Sequence, residues 1–243
     1  MTIHRFFINP NLIAETTITL PEEISHQITQ VLRLKNNDQI IVLDNTGFEY
    51  LVTLLDVNKK HTTAKVIEKR KNNNEPDKSI HLYMALIARD NFELTIQKCV
   101  ELGIKEITPV ITERTQFDKK VFETKYDRWK KIIKEASEQS ERAILPLLNN
   151  PINFESAINQ TKEDGTSLIA SEYSRGEEKN VIPSAVEESL DGKKVNIFIG
   201  PEGGFTEQEV AYANENNVKS LSLGKTILRA ETAAIVSMVL LLN

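Results

Sequence analysis

"VNIFIGPEGGFTEQEV", residues 195–210, is the stretch on which the fold turns. Its opening run, "VNIFIG", is apolar apart from Asn196 and closes on a glycine, the pattern of a strand buried on both faces. Pro201, Gly203 and Gly204 then break the run. "TEQE" at 206–209 matches a capping box: Thr206 caps the first amides of a helix and Glu209 reaches back to the Thr206 amide. A glycine-bearing loop therefore stands between a strand C-terminus and a helix N-terminus. Ligands gather at that edge in open α/β sheets. Adjacent glycines cost backbone entropy. Two readings of Gly203 and Gly204 stay open at this point, a tight turn and a close approach of bare backbone to a ligand.

A second loop repeats the arrangement. "LSLGKTILRAETAA", 221–234, runs from a strand through a glycine into a nearly all-apolar helix. Such a helix is buried against the core or against a second subunit. Arg229 and Glu231 enter it as a charged pair and need partners, either each other or a ligand. Neither loop is a phosphate loop. Residues 200–205 lack the G-x-G-x-x-G spacing, and "GKT" at 224–226 lacks the glycine a Walker motif needs at position 219, where this chain has Lys219.

Upstream, "SIHLYMALI" (79–87), "DNFELTIQKCVELG" (90–103) and "EITPVIT" (106–112) read as strand, helix and strand. That unit predicts a parallel sheet. Asp90 is a candidate cap for the helix, Gly103 its end, and Cys99 lies on its apolar face as a core thiol. Further strands are expected at "TSLIAS" (166–171) and "VKSLSLG" (218–224). The polar stretch "EKRKNNNEPDKS" (68–79) reads as a linker. Before it, "QIIVLD", "EYLVTLLDV" and "TTAKVIE", with the turn "NTG" at 45–47, predict a small β-rich domain. In "ISHQITQVLRL" (24–34), Ile24, Ile28, Val31 and Leu32 fall at helical spacing, so His26 and Arg33 project from a helix or its end.

Across 243 residues, 40% are hydrophobic and 27% charged, the profile of a globular protein. The longest apolar stretch, "AAIVSMVLLL" at 233–242, is too short to span a bilayer, and no signal-peptide pattern opens the chain. Together with the lone Cys99, these features predict a cytoplasmic protein. The four histidines, His4, His26, His61 and His81, lack metal spacing; no metal is expected, and His81 reads as a packed strand residue. The net charge of −5 argues against indiscriminate polyanion binding. Yet Arg114 to Lys134 holds eight basic residues and three acidic ones, interleaved with Phe117, Phe122, Tyr126 and Trp129. That suits a nucleic-acid surface. On this segment alone the preferred reading is an amphipathic helix with its aromatics turned inward.

At its two glycine loops the chain resembles the SPOUT superfamily of RNA methyltransferases, and within it the family that methylates N3 of a uridine in bacterial 16S ribosomal RNA. "HQITQVLRL" (26–34), "FELTIQKCVELGIKEITPVITER" (92–114) and "RWKKIIKEASEQSER" (128–142) fit the same family. Ser140 departs from a cysteine common there. The resemblance implies an α/β fold in two domains, a PUA-like RNA-binding β-barrel over 1–72 and a SPOUT domain with a parallel sheet and a trefoil knot over 73–243. It implies S-adenosylmethionine as cofactor, a homodimer, and 16S rRNA as partner. By position it places the cofactor shell at Ala170, Ser171 and Glu172, at Gly200, Pro201, Glu202, Gly203 and Gly204, and at Leu223, Gly224, Ile227, Leu228 and Arg229. Arg229 is the candidate to stabilise charge on a uracil oxygen, and Glu231 or Glu202 to take the N3 proton. Arg33, Arg114, Gln139 and Arg142 are candidate RNA contacts. The rivals are a non-catalytic RNA-binding protein of the same fold and a methyltransferase acting on transfer RNA.

Overall fold

Strict alternation in the middle of β4 (Phe48–Asp56) buries Tyr50, Val52 and Leu54 on one face of a sheet. In the computed structural model, which describes residues 3–14, 16–116, 119–162, 165–171 and 194–242 (119–121 by backbone alone), β4 pairs antiparallel with β3 (Gln39–Leu43) and β5 (Thr62–Lys71). Two further strands, β1 (Arg5–Phe7) and β2 (Thr17–Leu20), complete the order β1-β3-β4-β5-β2. The end strands β1 and β2 do not pair, so the sheet is a curled half-barrel rather than the closed barrel expected. Register shifts at Leu51/Val52 and Leu54/Asp56 bend the β4–β5 ribbon. Asn45 and Gly47 make the predicted turn with positive φ of 64° and 88°.

The chain divides into two compact units, Met1–Glu75 with Lys134–Leu145, and Pro76–Ile133 with Pro146–Asn243. In the first, Ile40 and Val42 of β3 face one core while Ile41 and Leu43 face Phe7 and Ala143 on the other side. Residues 68–79 are not a loose linker. β5 continues to Lys71, and buried Asn72 donates from Nδ2 to Glu49 Oε2 and to the Glu141 carbonyl, both at 3.1 Å. Polar side chains here satisfy buried backbone instead of water. The 24–34 helix also differs from expectation. α1 (Glu22–His26) runs into a wide turn over Gln27–Leu32 that ends at Arg33 with φ 55°. Ile24 and Ile28 are buried as predicted, but the wider turn rotates Val31 outward, leaving it 67% exposed.

The second unit holds a parallel sheet in the order β12-β10-β11-β6-β7-β8. Its strands are β6 (Ser79–Ala85), β7 (Glu106–Ile111), β8 (Leu147–Leu148), β9 (Ile152–Asn153, on β7), β10 (Thr166–Ala170), β11 (Lys194–Ile199) and β12 (Lys219–Leu221). Helices α2 (Arg89–Leu102), α3 (Lys119–Gln139), α4 (Phe154–Gln160), α5 (Glu207–Glu215) and α6 (Ala230–Leu242) accompany them. α2 ends at Gly103, φ 102°, as predicted. It starts two residues early, with Ala88 in the cap position and Asp90 in the first turn. Burial pushes the Cys99 thiol up to about 12, which marks a core thiol. His81 is packed as predicted, with Nε2 2.7 Å from Thr108 Oγ1 and its ring stacked on Tyr83. On α3, Phe122 and Trp129 are buried against each other, and Trp129 tilts onto Phe92 of α2 at 4.5 Å. These two aromatics turn inward, the amphipathic reading, while Tyr126 is half-buried with the Lys130 ammonium over its ring; Phe117 lies outside the described residues.

Candidate active site

Three strand ends create the site. Ala170, the last residue of β10, is in register with Ile199 of β11 on one side and Leu221 of β12 on the other. The parallel strands therefore release their chains at one level. The loops 200–206 and 222–229 leave side by side although fifteen residues separate them in sequence. Between them lies a cavity of about 490 Å³, within the range that holds a nucleoside-sized ligand.

Of the predicted cofactor shell, Ala170, Ser171, Gly200, Pro201, Glu202, Gly203, Gly204, Leu223, Gly224, Ile227, Leu228 and Arg229 all line this cavity. Glu172 lies outside the described residues. Glu231 lines it too, so all three candidate catalytic residues are brought together. Asn91, in the first turn of α2, also lines the cavity and was missed. The signal that finds it is topological: β6 neighbours β11, so the helix start after β6 opens at the same sheet edge.

Each loop is shaped by local chemistry. The Gly204 amide donates to the Pro201 carbonyl at 2.8 Å, closing a turn in which Gly204 has φ 68°. A Cβ on Gly200 would lie 3.1 Å from the buried Phe205 ring, so glycine lets Phe205 fold under the loop without crowding. The capping box at Thr206 and Glu209 is formed in both directions. Gly224, at φ 110°, faces open space within 4 Å, so the peptide there is bare.

The charged groups differ in their engagement. Glu202 Oε1 accepts from the Ala88 amide at 2.9 Å, which ties the loop to the start of α2. Arg229 is exposed at the cavity, and its carbonyl accepts from the Ala233 amide in the first turn of α6. No ion pair joins Arg229 to Glu231 among the described residues. Glu231 is 7% exposed, and its Oε2 has no hydrogen-bond partner among the described residues. A buried carboxylate oxygen without a donor costs free energy unless a ligand supplies one. Bare peptide groups for a flat base, an apolar wall in which Ile227 is 72% exposed, and an unmatched acceptor make a cavity suited to S-adenosylmethionine.

The candidate RNA contacts fall into different settings. In the first unit, Arg33 and Gln139 are exposed. Arg142 is a correction: it is 2% exposed, and its Nη2 donates to Glu75 Oε2 at 2.9 Å. Its charge is paired with Glu75 inside the first unit. Arg114, in the second unit, donates from Nη1 to the carbonyl of Gly203 at 2.7 Å and to that of Phe205 at 3.3 Å. Among the described residues no cluster of three or more potential metal ligands occurs, and no helix is long and apolar enough to cross a membrane.

Comparison with known proteins agrees with this geometry. Residues 73–242 match the RNA methyltransferase domain family, and residues 20–67 match the RNA methyltransferase PUA domain. The chain is similar to the ribosomal RNA small subunit methyltransferase E of Synechocystis sp., 34% identical over 97% of this chain and 76% of the relative. It is 36% identical to the protein of the same name from Mesomycoplasma hyopneumoniae, over 96% of each chain. Among solved structures it resembles a ribosomal RNA small subunit methyltransferase E from Neisseria gonorrhoeae bound to S-adenosyl methionine, with a TM-score of 0.85, 30% identity and coverage of 98% and 96%. With a family match over most of its length and relatives this similar from end to end, the chain belongs to the ribosomal RNA small subunit methyltransferase E family of RNA methyltransferases.

Proposed function

We propose that this RNA methyltransferase transfers the methyl group of S-adenosylmethionine to N3 of one uridine in 16S rRNA. The observation that carries the reading is the shared cavity of 200–204 and 223–229, with Arg229 and Glu231 at its wall. When bound, the cofactor supplies an electrophilic methyl on a sulfonium, which needs no acid to activate its leaving group. The chain has three tasks left. Residues 200–204 and 223–228 hold the adenosine and fix the direction of approach; alignment of this kind is worth roughly 7–11 kcal/mol at best. Arg229 donates to a uracil carbonyl oxygen as negative charge builds there. Glu231 takes the N3 proton, since its Oε2 is unengaged, whereas Glu202 is committed to the Ala88 amide. The target base leaves its stack to reach the cavity.

In the same reading, residues 1–72 form the RNA-holding PUA domain and 73–243 the catalytic domain, whose C-terminal loops are threaded as a trefoil knot. Arg33 and Gln139 contact RNA. The chain works in the cytoplasm as a homodimer, with half-buried Ile235, Val236 and Leu240 of α6 contributing to the interface; sedimentation at twice 27.6 kDa is the expected result.

The test pairs Arg229→Ala and Glu231→Gln with calorimetric binding of S-adenosylmethionine. Methyl transfer falls by about 10²–10³ for Arg229→Ala, with cofactor affinity changed by no more than a few-fold. Unchanged transfer would end the assignment. Mass spectrometry of rRNA and tRNA from cells lacking the gene checks the substrate: one methyl disappears from a 16S uridine, while loss from tRNA alone would favour the rival substrate.

A further inference from the structure

We propose that Arg114 is a positioning residue for the cofactor loop, acting through the carbonyls of Gly203 and Phe205 and not by contact with RNA. The inference rests on the reading of the cavity as the S-adenosylmethionine site. A loop containing Gly203 and Gly204 has little side chain of its own with which to hold a shape, and glycine leaves many backbone states open. Its geometry therefore depends on ties from outside. Arg114 does not line the cavity, yet Nη1 bridges the two carbonyls that flank Gly204, at 2.7 Å and 3.3 Å. Its stem lies along the loop: a Cβ on Gly203 would sit 3.4 Å from Arg114 Cδ. Charge-assisted bonds to carbonyls are the stronger kind.

The segment bearing Arg114 is itself braced. It follows the C-terminal end of β7, where Thr112 donates its amide to Thr115 Oγ1 at 2.9 Å and Thr115 returns its amide to the Thr112 carbonyl at 3.2 Å. The next amide, that of Glu113, donates to Glu209 Oε1 at 2.9 Å, and Glu209 Oε2 accepts from the Thr206 amide at 2.8 Å. Residues 112–115 thus hold the loop at Gly203, at Phe205 and at the helix start beyond it. A preformed loop binds its ligand without the cost of ordering it. Arg114 sets that cost.

The full-length Arg114→Met and Arg114→Lys proteins test this. Binding of S-adenosylmethionine by calorimetry, binding of a 16S rRNA fragment at two or more salt concentrations, and steady-state methyl transfer are measured for each. Arg114→Met weakens cofactor binding by about 10- to 100-fold. It raises KM for the cofactor by a similar factor, keeps kcat at saturating cofactor within about three-fold, and keeps RNA affinity within about two-fold. Arg114→Lys, a point charge without the planar fork, gives an intermediate cofactor affinity. If Arg114→Met does not fold, Arg114→Lys alone decides: weakened cofactor binding with unchanged RNA binding supports the role. Wild-type cofactor affinity in the variants would overturn it. So would a loss of RNA affinity with a salt dependence shallower by about one charge, which would make Arg114 a phosphate contact. A wild-type protein that fails to bind S-adenosylmethionine would overturn the cofactor reading and this role together.

Discussion

Gly200 shows how a single missing Cβ shapes the active site. Phe205 is buried against Phe154, their ring centroids 5.3 Å apart, and a Cβ at Gly200 would crowd its ring at 3.1 Å. Gly200→Ala forces the ring or the backbone aside and should cost about 1–3 kcal/mol, as overpacking does. Urea denaturation measures it, and a midpoint equal to wild type would show that the ring moves freely. This glycine was legible in "IGPEGGF" as a ligand-loop residue, but its actual neighbour was not. The reason is that Phe205 turns back under the loop, a matter of φ and ψ in the residues between. Arg142 shows the opposite limit. A basic residue that the family resemblance marks as RNA-facing turns out to be held by Glu75, far away in sequence.

At the scale of elements, α2 and α3 are joined by one carboxylate. Glu93 accepts from Arg128 at 2.6 Å and 2.7 Å and from Arg89 at 3.0 Å. The Arg128 hydrogen bonds, helped by Arg89, hold its carboxyl down at about 2, against an ordinary value of 4.5. A depressed folded-state value means that the stabilisation is present above 4.5 and is lost as pH falls from there towards 2. Glu93→Gln should therefore lower stability at neutral pH and flatten the acid limb of the wild-type profile. Denaturant midpoints between pH 6 and pH 2.5 check this; parallel profiles would remove Glu93 from the acid transition. The start of α5 offers a second test. Thr206→Ala loses the cap to the Glu209 amide and should cost about 1 kcal/mol, while Thr206→Ser restores it. A Thr206→Ala midpoint equal to wild type would show that the cap is replaced by water.

At the scale of the molecule, binding and stability are linked through the second unit. Cys99 is fully buried in α2, with its thiol pushed up to about 12, and reacts only when that unit opens. A disulfide reagent should label it slowly in the native protein. S-adenosylmethionine at a hundred times its dissociation constant should slow labelling further, by up to about 100-fold, because ligand bound to the folded form stabilises it by about 2.7 kcal/mol. Labelling indifferent to the cofactor would mean that Cys99 is exposed by a local opening that leaves the cavity intact. The net charge of −5 also bears on this scale. Polyanion affinity cannot come from the surface as a whole, so RNA binding must be local and salt-sensitive.

By itself the sequence determined most of the elements. The buried strands, the capping box, the end of α2 at Gly103 and the inward aromatics of α3 all follow from residues within a turn or two of each other, where periodicity and backbone preference act. The two glycine loops, and their likeness to a methyltransferase family, were likewise written in contiguous residues. Tertiary structure alone decided what those elements meet. The order β12-β10-β11 places Ala170, Ile199 and Leu221 at one level, and only that order makes two distant loops into one cavity. It also returned residues 134–145 to the N-terminal unit and set Arg114 against the glycine loop. Strand order and pairings across a hundred residues depend on the total burial of the whole chain, which no local stretch encodes.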